Sequence, residues 1–247
     1  MPNLMGDDLV KSTIPGTGAF NFSGIRPEDL GATEYTLVVI AVDRSSSVRD
    51  FDTELVKTIK KIVEACKKSP RAENLMIRLI SFNHELEEIH GFKTLNTIDI
   101  DDYKSLNPSG MTALFDAAYS GVGSIVTFAK TLIDQDFDVN GALYIITDGM
   151  DNRSTMTPEG ISNWIKKVGH DEEIESLISV LVGVNIEDST VKQCLESFKQ
   201  DANLDKFINV GDATESKLAQ LADFVSQSIS SQSQSIGTGG PSQIAGF

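Results

Sequence analysis

Apolar and polar positions fall into blocks along this chain, and the blocks repeat in kind. Thr36 to Val42 is a short, almost wholly apolar run rich in β-branched residues, which is how a strand buried on both faces of a parallel sheet reads. Ala142 to Thr147 and Leu177 to Val184 read the same way. Leu75 to Phe82 alternates like a strand, Glu85 to Phe92 fits beside it as a short antiparallel edge, and Lys206 to Val210 is a further short strand. Between Val48 and Lys68 the residues Phe51, Leu55, Ile59, Ile62, Val63 and Cys66 recur at helical steps, and Ser69-Pro70 ends the pattern. The helical period returns from Ala113 to Ile133, with Gly121 and Gly123 read as allowing close packing on the sheet. Thr157-Pro158-Glu159 opens a helix carrying Trp164 and Ile165. Asp188 caps the next, with Val191, Cys194, Leu195 and Phe198, and Thr214 starts the last, with Leu218, Leu221, Phe224, Val225 and Ile229. Strands alternate with helices, so the predicted fold class is α/β: a doubly wound, mostly parallel, Rossmann-like sheet with one short antiparallel edge strand and helices on both faces.

The ends lack such periods. Residues 1–33 hold scattered Gly, Pro and Asp and read as an extended N-terminal arm, pinned to the domain by Phe20, Phe22 and Ile25. Residues 34–230 form the expected domain. Residues 231–247, rich in Ser, Gln and Gly, read as a flexible tail. Asp134 to Gly141 reads as an acidic turn. Asp99, Asp101 and Asp102 read as a solvated turn, because no Gly and closing Glu come at calcium-loop spacing.

Charge narrows the partners. The chain has 247 residues, a formal net charge of −15 and 40% apolar residues. Such a surface repels phosphate backbones, so nucleic acid is not an expected partner. It suits basic or cation-bridged ones. No apolar stretch approaches the roughly 20 residues that span a bilayer, and the first ten residues show no basic start followed by an apolar run, so the expected setting is cytoplasmic, without membrane association. Cys66 and Cys194 lie in helical patterns without metal spacing and are expected to be buried and unpaired. His84, His90 and His170 sit in polar or edge segments and are expected at the surface.

The candidate chemistry lies where the strands stop. The Thr36–Val42 run ends at Asp43, and Arg44, Ser45, Ser46 and Ser47 come next. In open α/β sheets ligands bind at that carboxyl end. A carboxylate with hydroxyls is an all-oxygen set suited to a hard divalent cation. Taken alone, the Asp-x-Ser-x-Ser run reads first as chance or as a cap on the next helix. Two further segments change that. Thr112 comes after the flexible Gly110-Met111 and opens a helix, and Asp148-Gly149 ends the Ala142–Thr147 strand. If the two buried strands are neighbours, Asp43, Ser45, Ser47, Thr112 and Asp148 converge on one rim.

Those three segments, Asp43-x-Ser45-x-Ser47, Gly110-x-Thr112 and Thr147-Asp148-Gly149, resemble the metal-ion-dependent adhesion site of von Willebrand factor A domains. Asp151-Asn152-Arg153-Ser154 is similar to the run that often succeeds the Thr-Asp-Gly of bacterial members. The resemblance spans roughly Tyr35 to Ser230. It departs from the family at Arg44 and Ser46, where small residues or Gly are common, and neither change removes an oxygen ligand. The resemblance implies an intracellular, non-catalytic interaction module. Its cofactor would be Mg²⁺, or Mn²⁺ or Ca²⁺ at the same site. A protein partner's Asp or Glu would complete the metal shell, within assemblies that include AAA+ ATPases or kinase and phosphatase signalling sets. Arg44, Ser46, Gly110, Met111, Gly149 and Asp151 would form the partner-binding rim, and Arg44 could pair with Asp50 or meet an acidic ligand.

Two other functions remain open to the sequence. One is a metal-independent scaffold that assembles through its termini. The other is a Mg²⁺-dependent phosphohydrolase, but it would need a second acid where Ser45 stands, and neither a nucleophile elbow nor a phosphate-binding loop is present.

Overall fold

The computed structural model describes residues 9–16, 20–170, 174–236 and 244–246, with the side chains of residues 169 and 170 left aside. Its strands are β1 (Leu9–Thr13), β2 (Asn21–Ile25), β3 (Glu34–Asp43), β4 (Leu75–Phe82), β5 (Leu86–Thr94), β6 (Asp138–Thr147), β7 (Leu177–Val184) and β8 (Lys206–Gly211). Its helices are α1 (Asp52–Lys67), α2 (Leu114–Ile133), α3 (Pro158–His170), α4 (Ser189–Asp201) and α5 (Glu215–Gln234). The strands form one sheet in the order β1-β2-β5-β4-β3-β6-β7-β8. The pairs from β4 through β3, β6 and β7 to β8 are parallel, β4–β5 and β1–β2 are antiparallel, and β2 meets β5 in parallel.

The central place of β3 is dictated by its residues. Val38, Ile40 and Val42 face one core, shared with Leu55, Ile59 and Ile62 of α1 and Leu218, Leu221 and Val225 of α5. Leu37, Val39 and Ala41 face the other, with Leu114, Val122 and Ile125 of α2, Ile161 of α3 and Leu195 of α4. A strand covered on both sides needs apolar residues at every position. The chain leaves β3 through α1 to β4 on one side and later returns through α2 to β6 on the other. The order therefore reverses between β3 and β6, and a crevice opens outside their carboxyl ends. The expected close packing of Gly121 is present: a Cβ there would press on Leu143 of β6, and one on Gly123 would press on Ile14.

Several expectations are corrected. The expected arm is pinned through Phe22, which is buried and set edge-on to Phe92 and Phe128, but its residues 9–13 and 21–25 form a hairpin of two antiparallel strands that extends the sheet. β5 is consequently an interior strand of nine residues, and the edge is β1. Asp138 to Gly141 belongs to β6, not to a turn. α5 continues through residues 231–234, where Gln232 and Ser233 are fully buried. The Gln232 amide donates to the Gly141 carbonyl (3.2 Å) and the Ser176 hydroxyl (2.8 Å), which a solvated tail could not do. Residues 237–243 and 247 of the expected tail lie outside the described residues. Cys66 is buried as expected, whereas Cys194 is exposed on α4.

His90 is 1% exposed, against expectation. Its Nδ1–H donates to the Gly91 carbonyl (2.9 Å), which leaves Nε2 to accept from the Tyr103 hydroxyl (2.7 Å). Burial pushes the imidazole down to about 4, because the charged form would lose its hydration. The unfolded chain takes up this proton near pH 6.5, and the folded one only near 4. The contribution is thus complete above 6.5 and is lost as pH falls towards 4. The expected loss is about 3 kcal/mol, read as the difference between wild type and a His90→Gln variant in the change of urea midpoint from pH 7 to 4, with wild type losing more.

Candidate metal centre

The rim is built where β3 and β6 stop. Asp43 is the last residue of β3 and is fully buried. Its carboxylate accepts from the Ser45 amide (2.7 Å) and the Thr147 hydroxyl (2.6 Å). The Ser45 and Ser47 hydroxyls lie 3.0 Å apart, and Ser47 donates to Asp148 (2.8 Å). One continuous hydrogen-bonded set, entered from Asp43 through the Ser45 amide, thus joins Asp43, Ser45, Ser47 and Asp148 across more than a hundred residues of sequence.

The Thr112 segment is tied to this set through its backbone. Ser46 donates from both its amide and its hydroxyl to the Gly110 carbonyl (3.1 Å each), and the Ser109 amide donates to the Arg44 carbonyl (2.9 Å). On the other side the Thr112 amide donates to the Asn152 side chain (2.8 Å), and the Asn152 amide returns a bond to the Thr112 carbonyl (3.0 Å). Gly110 has φ +77°, and a Cβ there would collide with the His84 imidazole. Only glycine fits both the backbone angle and the close approach.

The expected rim residues divide into two kinds. Met111 and Met150 are 48% and 41% exposed, Gly149 has open space around its Cα, and Ser46 faces solvent. Arg44 pairs with Glu87 (3.6 Å) and not with Asp50. Asp151 turns inward, accepting from the Phe115 amide (3.4 Å) and from Ser154. Sequence reasoning passed over three supports. Thr147 orients Asp43. Asn83, just past β4, donates to the Ser109 carbonyl (2.8 Å) and accepts from the Ala113 amide (2.6 Å). Asp116 accepts from the amides of Thr155 (2.9 Å) and Met156 (2.7 Å), holding the loop after β6 against α2. Asn83 had a signal, since a polar residue ending an apolar strand at this rim is placed as Asp43 is. Asp116 had none.

Electrostatics support a cation. Burial pushes the Asp43 carboxyl up to about 6; the Thr147 and Ser45 hydrogen bonds oppose this, and the Asp148 charge adds to it. Burial also raises Asp148, against the Ser47 hydrogen bond. Among the described residues no cationic side chain figures in what shifts either carboxylate, so the two charges stand near one another with little to offset them. Among the described residues no group of three or more His, Cys, Asp or Glu is placed to hold a metal. Any ion here must therefore be shared between two carboxylates and neutral hydroxyls. That donor set fits a hard divalent cation that keeps some water, with Asp43, Ser45, Ser47, Thr112 and Asp148 as the residues to hold it.

No family model matches the chain, and no curated protein matches its sequence. Solved structures do match in fold. The pilus adhesin SpaC from Lactobacillus rhamnosus GG is similar with a TM-score of 0.57 at 10% identity, over 83% of this chain and 31% of that one. A D319A mutant of the PilB minor pilin from Streptococcus sanguinis gives 0.59 at 14%, over 88% and 66%. Proximal thread matrix protein 1 from the mussel byssus, with a zinc-occupied MIDAS motif, gives 0.53 at 17%, over 80% and 46%. The chain thus spans between about a third and two thirds of these proteins' lengths. At these identities the likenesses show a shared fold. Among the described residues no helix is long and apolar enough to cross a membrane.

Proposed function

We propose that this chain is a non-catalytic interaction module of the von Willebrand factor A type. It binds an acidic residue of a protein partner through a divalent cation, Mg²⁺ foremost, held by Asp43, Ser45, Ser47, Thr112 and Asp148. The observation that carries this reading is the single hydrogen-bonded network joining the ends of β3 and β6, with one carboxylate fully buried and raised to about 6. A bound divalent ion would neutralise both carboxylates and leave a coordination position for an outside oxygen. The exposed surround of Met111, Ser46, Gly149 and Met150 leaves room for a partner to approach. The solved neighbour with a zinc-occupied MIDAS motif and the pilus proteins of like fold agree with metal-dependent assembly as the role. We place the module in a cytoplasmic multi-protein assembly, with AAA+ ATPases or signalling enzymes as the partner classes that the motif resemblance suggests.

A non-catalytic role is supported by the groups around the acids. Ser45 stands where a phosphohydrolase needs its general acid, and the His84 imidazole lies against Gly110. Turnover of a generic aryl phosphate with Mg²⁺, abolished by Asp43→Ala, would overturn it. The positive test is selection from a displayed random-peptide library, bound with Mg²⁺ and eluted with EDTA. The expected result is enrichment of Asp or Glu at one position. Equal retention in EDTA would favour a metal-independent scaffold.

A further inference from the structure

We infer that the partner segment that brings its acid to the metal also seats a large apolar side chain in a groove beside it, with a basic residue next to that. This rests on the interaction reading above and names the chemistry of its ligand. The groove, of about 450 Å³, lies between the start of α2, the loop after β6, and α4. Its floor is the ring pair of Phe115 and Phe198, with centroids 4.7 Å apart, together with Leu114 and Leu195. Met150 forms part of its wall, two residues beyond the metal ligand Asp148.

Groove and metal rim are one surface. Leu114 and Phe115 lie just beyond Thr112 in the chain, and Asp151 bonds the Phe115 amide from the loop that carries Asp148. Among the described residues the exposed large apolar ones are Val10, Met111 and Met150, and the two methionines flank the metal rim. Methionine is unbranched and polarisable, and it adapts to partner side chains. An apolar side chain entering here leaves water for an aromatic floor, a favourable transfer. The charges on the lining are all negative, Asp151 and Asp201, with no Lys or Arg. A second acid beside the anchor would be repelled, and a Lys or Arg would be attracted to Asp201. The ligand motif is therefore acid, apolar anchor and base within a few residues of one another.

Cys194 provides the test. It is exposed and lines the groove, whereas Cys66 is fully buried, so a maleimide carrying a bulky group labels Cys194 selectively. The peptide selection is run with unlabelled protein, with labelled protein and with Cys194→Lys, and Mg²⁺ binding is measured by calorimetry on each. In unlabelled protein, Phe, Leu or Met should be enriched at least tenfold at a fixed offset from the acid, with Lys or Arg beside it. Labelling and Cys194→Lys should both remove that enrichment while Mg²⁺ affinity and the acid preference stay unchanged. An acid preference without an apolar one, or an apolar preference that survives both blocks, overturns the groove and leaves the metal reading standing. Absence of Mg²⁺ binding in unlabelled protein overturns the metal reading itself, and Mg²⁺ binding with no acidic peptide retained overturns both the partner and the groove.

Discussion

Mg²⁺ at one hundred times its dissociation constant should raise the melting temperature of the wild-type protein, and Asp148→Ala or Ser45→Ala should abolish that rise. An ion that binds only the folded state at that concentration adds about 2.7 kcal/mol. In a chain of this size this corresponds to about 5–10 °C. Ser47 donates to Asp148 and lies 3.0 Å from Ser45, so each substitution removes an oxygen from the shared set without touching the core. Both variants should keep the wild-type circular dichroism spectrum and lose Mg²⁺ affinity by about 100-fold or more, the upper range seen even for groups that only support a metal's ligands. Asp43→Asn should separate ion binding from stability. The Asp43 carboxyl, raised from its ordinary value to about 6, costs the ion-free fold about 3 kcal/mol above pH 6. That cost is relieved as pH falls from 6 towards 4. The asparagine variant should therefore lose the ion yet match or exceed ion-free wild type in melting temperature at pH 7. An unchanged Mg²⁺ response in Asp148→Ala would remove the basis for the metal centre.

The rim was legible because its chemistry is tied to the strand ends. Two strands buried on both faces leave continuous apolar runs, and the residue that breaks each run, Asp43 or Asp148, sits at the carboxyl end of the sheet. Their neighbouring positions come from the strand order, which no single run states but which alternation of strands and helices nearly forces. The hidden part is whatever tertiary contact decides. β1 and β2 are five residues each, with no period that separates them from loop, and they are strands because Phe22 packs on Phe92 and Phe128. Arg78 and His90 are polar residues in strand patterns, where such residues ordinarily face water, yet α2 and the hairpin cover Arg78, and Tyr103 covers His90. Gln232 and Ser233 have the composition of a linker and the environment of a core, because the polar backbone and side-chain groups of Gly141, Asn140 and Ser176 need partners there. Composition reports what a segment could do in water; it does not report which buried donors and acceptors it will meet.

Glu88→Ala should be the most destabilising single change outside the apolar core. Arg78 is 2% exposed, and its Nε donates to Glu88 at 2.6 Å. The rest of the guanidinium reaches the Ser124 hydroxyl (3.1 Å) and the Ser120 carbonyl (3.3 Å) on α2 and the Asn21 carbonyl (3.4 Å) on β2. Burial pulls the Arg78 pKa down, and the Glu88 charge holds it up. Glu88 also accepts from the amide (3.0 Å) and hydroxyl of Ser23, so one ion pair joins β4, β5, α2 and the hairpin. Removing one member of a buried pair leaves the other charge without a partner, a cost of about 3–5 kcal/mol. Replacing both by apolar residues of similar volume should be far milder, so Arg78→Met with Glu88→Leu should recover most of the loss. Gly91→Ala tests the same junction by shape, since a Cβ there collides with the Ser23 carbonyl. It should expose the hairpin to limited proteolysis between β1 and β2 while Mg²⁺ binding persists. The metal ligands lie at the end of β3, in the loops after β3 and β6, and just before α2, and among the described residues none of them bonds to the hairpin. If Glu88→Ala changes the urea midpoint by less than the equivalent of about 1 kcal/mol, well under the cost of an unpaired buried charge, the pair is not the fastener of the hairpin, and the aromatic contacts of Phe22 must hold it alone.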